Sequence, residues 1–120
     1  KGNKKLIISS GAMVYNCLSA IKKINNNGYG LVNIPSIKPL NNKVLINILK
    51  RYDKIITVED HSIIGGLGSI VGELIAQNNL SVKFKMHGLK TGFIDSDIPN
   101  NLEKKYQMDI KSLKKIFLSF

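Results

Sequence analysis

The chain has 120 residues, a formal net charge of +10, one cysteine (Cys17) and 43% hydrophobic residues. That length fits one domain and the apolar content supplies a core, which excludes a disordered chain, while a lone cysteine excludes an internal disulfide and a cysteine-based zinc site. Of the 18 basic residues, 17 are lysines spread along the chain and one is Arg51, which reads as a solvated surface and not as a nucleic-acid reader, where arginine forks are favoured.

Lys5 to Ser9 (KLIIS) is a short apolar run and predicts the first strand, closed by Gly11. Val14, Leu18, Ile21 and Ile24 then recur at helical spacing, with Cys17 among them as a small buried hydrophobe. Asn25-Asn26-Asn27-Gly28 stops that helix. Tyr29 to Ile34 predicts a second strand, broken by Pro35. Asn41 or Asn42 caps a second helix, whose apolar stripe is Val44, Leu45, Ile48, Leu49 and Tyr52.

Lys54 to Glu59 predicts a third strand, rich in β-branched residues. A glycine-rich turn follows at Ile64 to Gly68. The third helix spans about Leu67 to Gln77, with Ile70, Val71, Leu74 and Ile75 on one side and Asn78-Asn79 at its end. Ser81 to Met86 alternates apolar and polar residues, the mark of a sheet-edge strand with one wet face. Gly88 to Pro99 reads as a loop, Pro99 opens a short helix at Asn100 to Tyr106, and Asp109 to Phe117 forms a last amphipathic helix. Ile110, Leu113, Ile116 and Phe117 face inward there, with lysines outside.

Strands alternating with helices over short loops predict an α/β three-layer sandwich. It has a mainly parallel sheet of at least four strands and helices on both faces. No apolar run approaches the ~20 residues of a membrane span, and no signal-peptide pattern is present. The expected location is therefore the cytoplasm, with no membrane or nucleic-acid partner. The start, Lys1 to Leu6, lacks an initiator Met and leads straight into a strand, so a domain cut from a longer chain is expected.

The densest set of functional residue types runs from Thr57 to Ser69, at the carboxyl end of a predicted strand, where open parallel sheets bind ligands. Three readings of it stand. Glu59, His61, Gly65, Gly66, Gly68 and Ser69 could form a turn that holds an anion at a helix N-terminus. The spacing Gly65-Gly66-Leu67-Gly68 is not that of a dinucleotide fingerprint, and no Walker lysine follows. Alternatively, Gly68 and Gly72, four apart, make a small-residue face on which the sheet or a second subunit packs closely. A catalytic role for His61 beside Glu59 and Asp60 is the third, without a nucleophile elbow to support it. No catalytic, cofactor-binding or metal-binding residue is assigned.

Thr57 to Glu73 (TVEDHSIIGGLGSIVGE) resembles the C-terminal domain of transketolases and related thiamine-diphosphate enzymes. Leu6 to Ala12 with Val14, Val32 to Leu40 (VNIPSIKPL) and the Lys105-Tyr106-Gln107-Met108-Asp109 ending resemble other segments of the same family, in the same order. His61 to Gly66 is closest to transketolases, especially those divided into two subunits. The resemblance implies a single domain over residues 1–120. The parent would transfer a two-carbon ketol unit between sugar phosphates with thiamine diphosphate and a divalent metal, Mg or Ca. Its pyrimidine- and diphosphate-binding domains, absent here, would hold them, with none in this domain. The implied assembly is a homodimer or heterotetramer to which this domain contributes contacts and support. Deoxyxylulose-phosphate synthase or a 2-oxoacid dehydrogenase beta chain is the alternative parent, and a stand-alone anion- or ligand-binding module using the Gly65–Gly68 turn is the alternative of a different class. Thr91 to Ile98 (TGFIDSDI) departs from the family's usual F-G-E-S-G segment.

Overall fold

The computed structural model describes residues 4–24, 28–35, 41–62, 65–89 and 107–120. The first strand, β1 (Lys5–Ser9), is buried along its whole length. Its unbroken apolar run suits a strand covered on both faces. β2 (Tyr29–Asn33) and β3 (Lys54–Ser62) flank it, and β4 (Lys83–Leu89) lies outside β3, giving the order β2-β1-β3-β4. All three pairings are parallel.

Among the described residues four helices cover the sheet: α1 (Met13–Ile24), α2 (Asn42–Leu49), α3 (Leu67–Gln77) and α4 (Ile110–Ser119). Leu45 and Leu49 of α2 join Leu67, Val71 and Leu74 of α3 over Leu6, Ile8 and Ile55 on one face. Met13, Cys17 and Ala20 of α1 join Leu113 and Phe117 of α4 over Ile7, Ile56 and Val58 on the other. Burying each large side chain of this kind contributes about 1.5–3 kcal/mol. Asn41 caps α2, its Oδ1 accepting from Val44 N at 3.1 Å. Asn78 caps α3 at its C-terminus, and Asn79 follows in the left-handed region at φ 52°, where asparagine is tolerated.

Several boundaries differ from the sequence expectation. β3 runs on to Ser62, and β4 starts at Lys83 and runs through Gly88 to Leu89, where a loop was expected. Pairing with the extended β3, through a bulge between Val58 and Ser62, carries β4 onward. Met86, expected on the buried side, is 39% exposed because β4 is the sheet's edge. On α1 the buried residues are Met13, Asn16, Cys17 and Ala20, and Leu18 is 41% exposed. The helix is turned because Asn16 points inward, its Nδ2 donating to Met108 O at 3.1 Å. Val44 of α2 is likewise outside. The helix expected at Asn100 to Tyr106 and the Thr91 to Ile98 segment lie outside the described residues.

Candidate functional site at the carboxyl edge of the third strand

From β1 the chain goes out to β2 on one side and returns to β3 on the other. The point where strand order reverses therefore lies between β1 and β3, and its carboxyl edge is where ligands enter such sheets. Here that edge is closed from within. Ser9, fully buried, donates its Oγ to Val58 O at 2.8 Å across the two strands. Cys17 lies behind it; burial pushes the thiol up to about 12, only partly opposed by its hydrogen bond with Ser9. Such a thiol stays protonated at neutral pH and is no nucleophile.

Glu59 decides what the glycine-rich turn can do. Residues alternate along β3, so Glu59 shares a face with Ile55 and Thr57, under α3. Its side chain is 2% exposed. Oε1 accepts from Leu67 N and Oε2 from Gly68 N, both at 2.9 Å. These are amides of the first turn of α3, which have no intrahelical acceptor. The preceding residue, Gly66, is the N-cap and has no side chain to offer. Glu59 thus caps α3 from another element and lays a negative charge on the positive end of its dipole. Two donors that an external anion would use are already taken.

The glycines allow this approach. Gly65 turns the chain at φ +74°, a conformation that favours glycine, and its N donates to Ser69 Oγ at 3.0 Å. At Gly68 a Cβ would come 2.8 Å from Met86 Cγ and Sδ and 2.9 Å from Thr57 Oγ1. At Gly72 it would come 3.2 Å from the Phe84 ring. The structure therefore sets both positions against side chains of β3 and β4. His61 and Ser62 continue β3, and their side chains lie outside what is described.

Among the described residues no three His, Cys, Asp or Glu side chains converge as a metal site requires. His87 on β4 instead places Nε2 2.9 Å from Gln107 O, linking the edge strand to the approach to α4. A groove of about 600 Å³ opens at the opposite, amino-terminal edge, bordered by Lys4, Lys50, Arg51, Asp53 and Asn79, and no described residue of the glycine turn borders it. No helix among the described residues is long and apolar enough to cross a membrane.

Sequence reasoning gathered Glu59, Gly65, Gly66, Gly68, Ser69 and Gly72 into one place. It missed that Glu59 spans the turn as a cap, and it missed Ser9 and Asn16 as buried ties. An acidic residue at a strand end, eight residues before a helix that opens on glycine, was the available signal for the first.

The described residues thus make a four-stranded parallel α/β layer whose glycine turn is closed by its own carboxylate. The chain belongs to the transketolase C-terminal domain family, which it matches over residues 1–113. It is 32% identical over 122 residues to one of the subunits of the apulose-4-phosphate transketolase of Actinobacillus succinogenes, covering 99% of this chain and 39% of that protein. To the 1-deoxy-D-xylulose-5-phosphate synthase of Halothermothrix orenii it is 33% identical over 111 residues, covering 90% of this chain and 18% of that one. A solved structure described as a split gene transketolase, an inactive beta4 tetramer, superimposes with a TM-score of 0.84 at 26% identity, over 99% of this chain and 39% of its own. The chain thus spans well under half the length of these relatives.

Proposed function

We propose that this domain is the C-terminal structural and subunit-contact part of a transketolase that moves a two-carbon ketol unit between sugar phosphates with thiamine diphosphate. One observation carries the reading. The end-to-end likeness in sequence and in structure is to one subunit of an apulose-4-phosphate transketolase and to a split gene transketolase, each over 39% of its length. The cofactor supplies the carbanion chemistry and, with a divalent cation, is held by pyrimidine- and diphosphate-binding domains beyond these residues. The described residues of this chain do not fit it, since no converging ligand set is assembled among them and Glu59 occupies the turn's amides. What this chain does is hold α3 on the sheet and offer Gly65, Gly66 and Ser69, with the adjoining His61 segment, to neighbouring domains. The assembly is a cytoplasmic homodimer or heterotetramer.

The likeness to the deoxyxylulose-phosphate synthase favours a second reading, the same domain in that enzyme. Both are tested by assaying the full-length protein, with any companion subunit, for ketol transfer between sugar phosphates and for formation of 1-deoxy-D-xylulose 5-phosphate. Ketol transfer is the expected result; the second activity without the first overturns the leading reading. Residues 1–120 alone should show no saturable calorimetric binding of thiamine diphosphate with magnesium, and one-to-one micromolar binding would contradict the placement of the cofactor.

A further inference from the structure

Lys5, Lys54 and Lys83 stand in register on three adjacent strands, Lys5 opposite Lys54 and Lys54 opposite Lys83. In-register neighbours project to one face, with strands ~4.8 Å apart, and like charges set directly opposite one another destabilise a sheet. The face is the one that α1 and α4 cover. Lys5 is only 8% exposed, and burial pulls its pKa below the ordinary lysine value. Something must offset both effects.

The C-terminus of α4 does so. Lys5 Nζ donates to Phe117 O at 2.7 Å and reaches Leu118 O at 3.5 Å. The Tyr29 hydroxyl donates to the same Phe117 carbonyl at 3.0 Å, and its ring lies 5.4 Å from the ammonium. Lys54 Nζ donates to Phe120 O at 2.7 Å. The last carbonyls of a helix lack intrahelical partners and carry the negative end of its dipole. The rest of α4 has the opposite character. Lys111, Lys114 and Lys115 lie along it, and Lys83 and Lys85 share the sheet face of the ladder. Without its C-terminal contacts α4 is a cationic helix beside a cationic sheet edge.

We propose that α4 is a strap latched to the amino-terminal edge of the sheet by Lys5 and Lys54, and that it opens as a unit while the sheet stays paired. Packing agrees with a separable element: α4 meets α1 far more extensively than it meets any strand, although Leu113 and Phe117 share one core cluster with α1 and with Ile7, Ile56 and Val58 of the sheet. When it lifts, Met13, Cys17 and Ala20 of α1 lose part of their cover.

The test is native-state hydrogen exchange, resolved by peptide, on the full-length chain. In the Lys5→Met, Lys54→Met double variant, the peptide 109–120 should exchange faster by about tenfold or more, the factor for losing one charge-assisted hydrogen bond. The peptide 54–60 should be unchanged, as it should for the control Lys115→Met throughout. If the double variant does not fold, Lys54→Met alone serves, with a smaller rise confined to the same peptide. Equal acceleration in both peptides, or none in 109–120, overturns the latch.

Discussion

Two helix ends in this domain are held by charged side chains, at opposite edges of one sheet: Glu59 and Lys5 are buried, Lys54 half-buried. At the carboxyl edge the N-terminus of α3 rests on Glu59. At the amino edge the C-terminus of α4 rests on Lys5 and Lys54. Charge and dipole match in both, but the carboxylate reaches 8 and 9 residues along the chain whereas the lysines reach 112 and 66. The first contact is therefore local to a strand-turn-helix unit and forms with it. The second joins α4 to two strands far from it in the chain and depends on the sheet that holds them together. On the latch account α4, tied to the sheet by contacts between segments far apart in the chain, is the element expected to open first, as a unit of lower local stability than the sheet.

The largest effect that would break this contrast is at Glu59. Glu59→Ala leaves two buried amides without acceptors, at about 1–3 kcal/mol each, for a total of about 2–6 kcal/mol in urea unfolding. Glu59→Gln can satisfy one amide and should lose about half as much. A change under about 0.5 kcal/mol for Glu59→Ala would mean that the cap contributes nothing. Next comes Gly68, where a Cβ meets the buried Thr57 hydroxyl and Met86 together. Gly68→Ala should cost about 1–2 kcal/mol, overpacking outweighing the gain in helix propensity. Gly72→Ala sharpens the point, because its single tight neighbour is the edge of a half-buried ring. There the ~1 kcal/mol that alanine gains as a helix former nearly cancels the contact, so thermal unfolding should scarcely move. A loss at Gly72 as large as at Gly68 would mean that a second molecule, and not only Phe84, sits on that face. The smallest effect is at the other edge. Lys83 is exposed and opposite Lys54, so Lys83→Glu should raise stability by about 0.2–1 kcal/mol.

The same contrast explains what could be read from the chain. Strand and helix order followed from hydrophobic period, since KLIIS and the stripe of Leu113 and Phe117 leave little choice of element or face. The glycine turn was legible as a unit because its residues are neighbours. The inward turn of Asn16 was not, as its partner Met108 lies 92 residues away and an asparagine on an apolar face reads as a surface residue. Lys5 and Lys54 looked like solubilising charges at strand starts. Only pairing in register and a helix end brought over them make them structural, and periodicity does not carry that information. Thr57 adds a detail no pattern shows: its buried hydroxyl oxygen has no hydrogen-bond partner among the described residues, beneath the helix at Gly68.

The central claim is that the amides of the glycine turn serve an internal carboxylate and not an external anion. Amide NMR resonances of Leu67 and Gly68, followed during titration with pyrophosphate, test it directly. In the wild type both should stay where they are through millimolar pyrophosphate, held by Glu59, and both should move on Glu59→Gln substitution before any ligand is added. Saturable shifts of Leu67 and Gly68 in the wild-type protein would contradict the account and make the turn a ligand site.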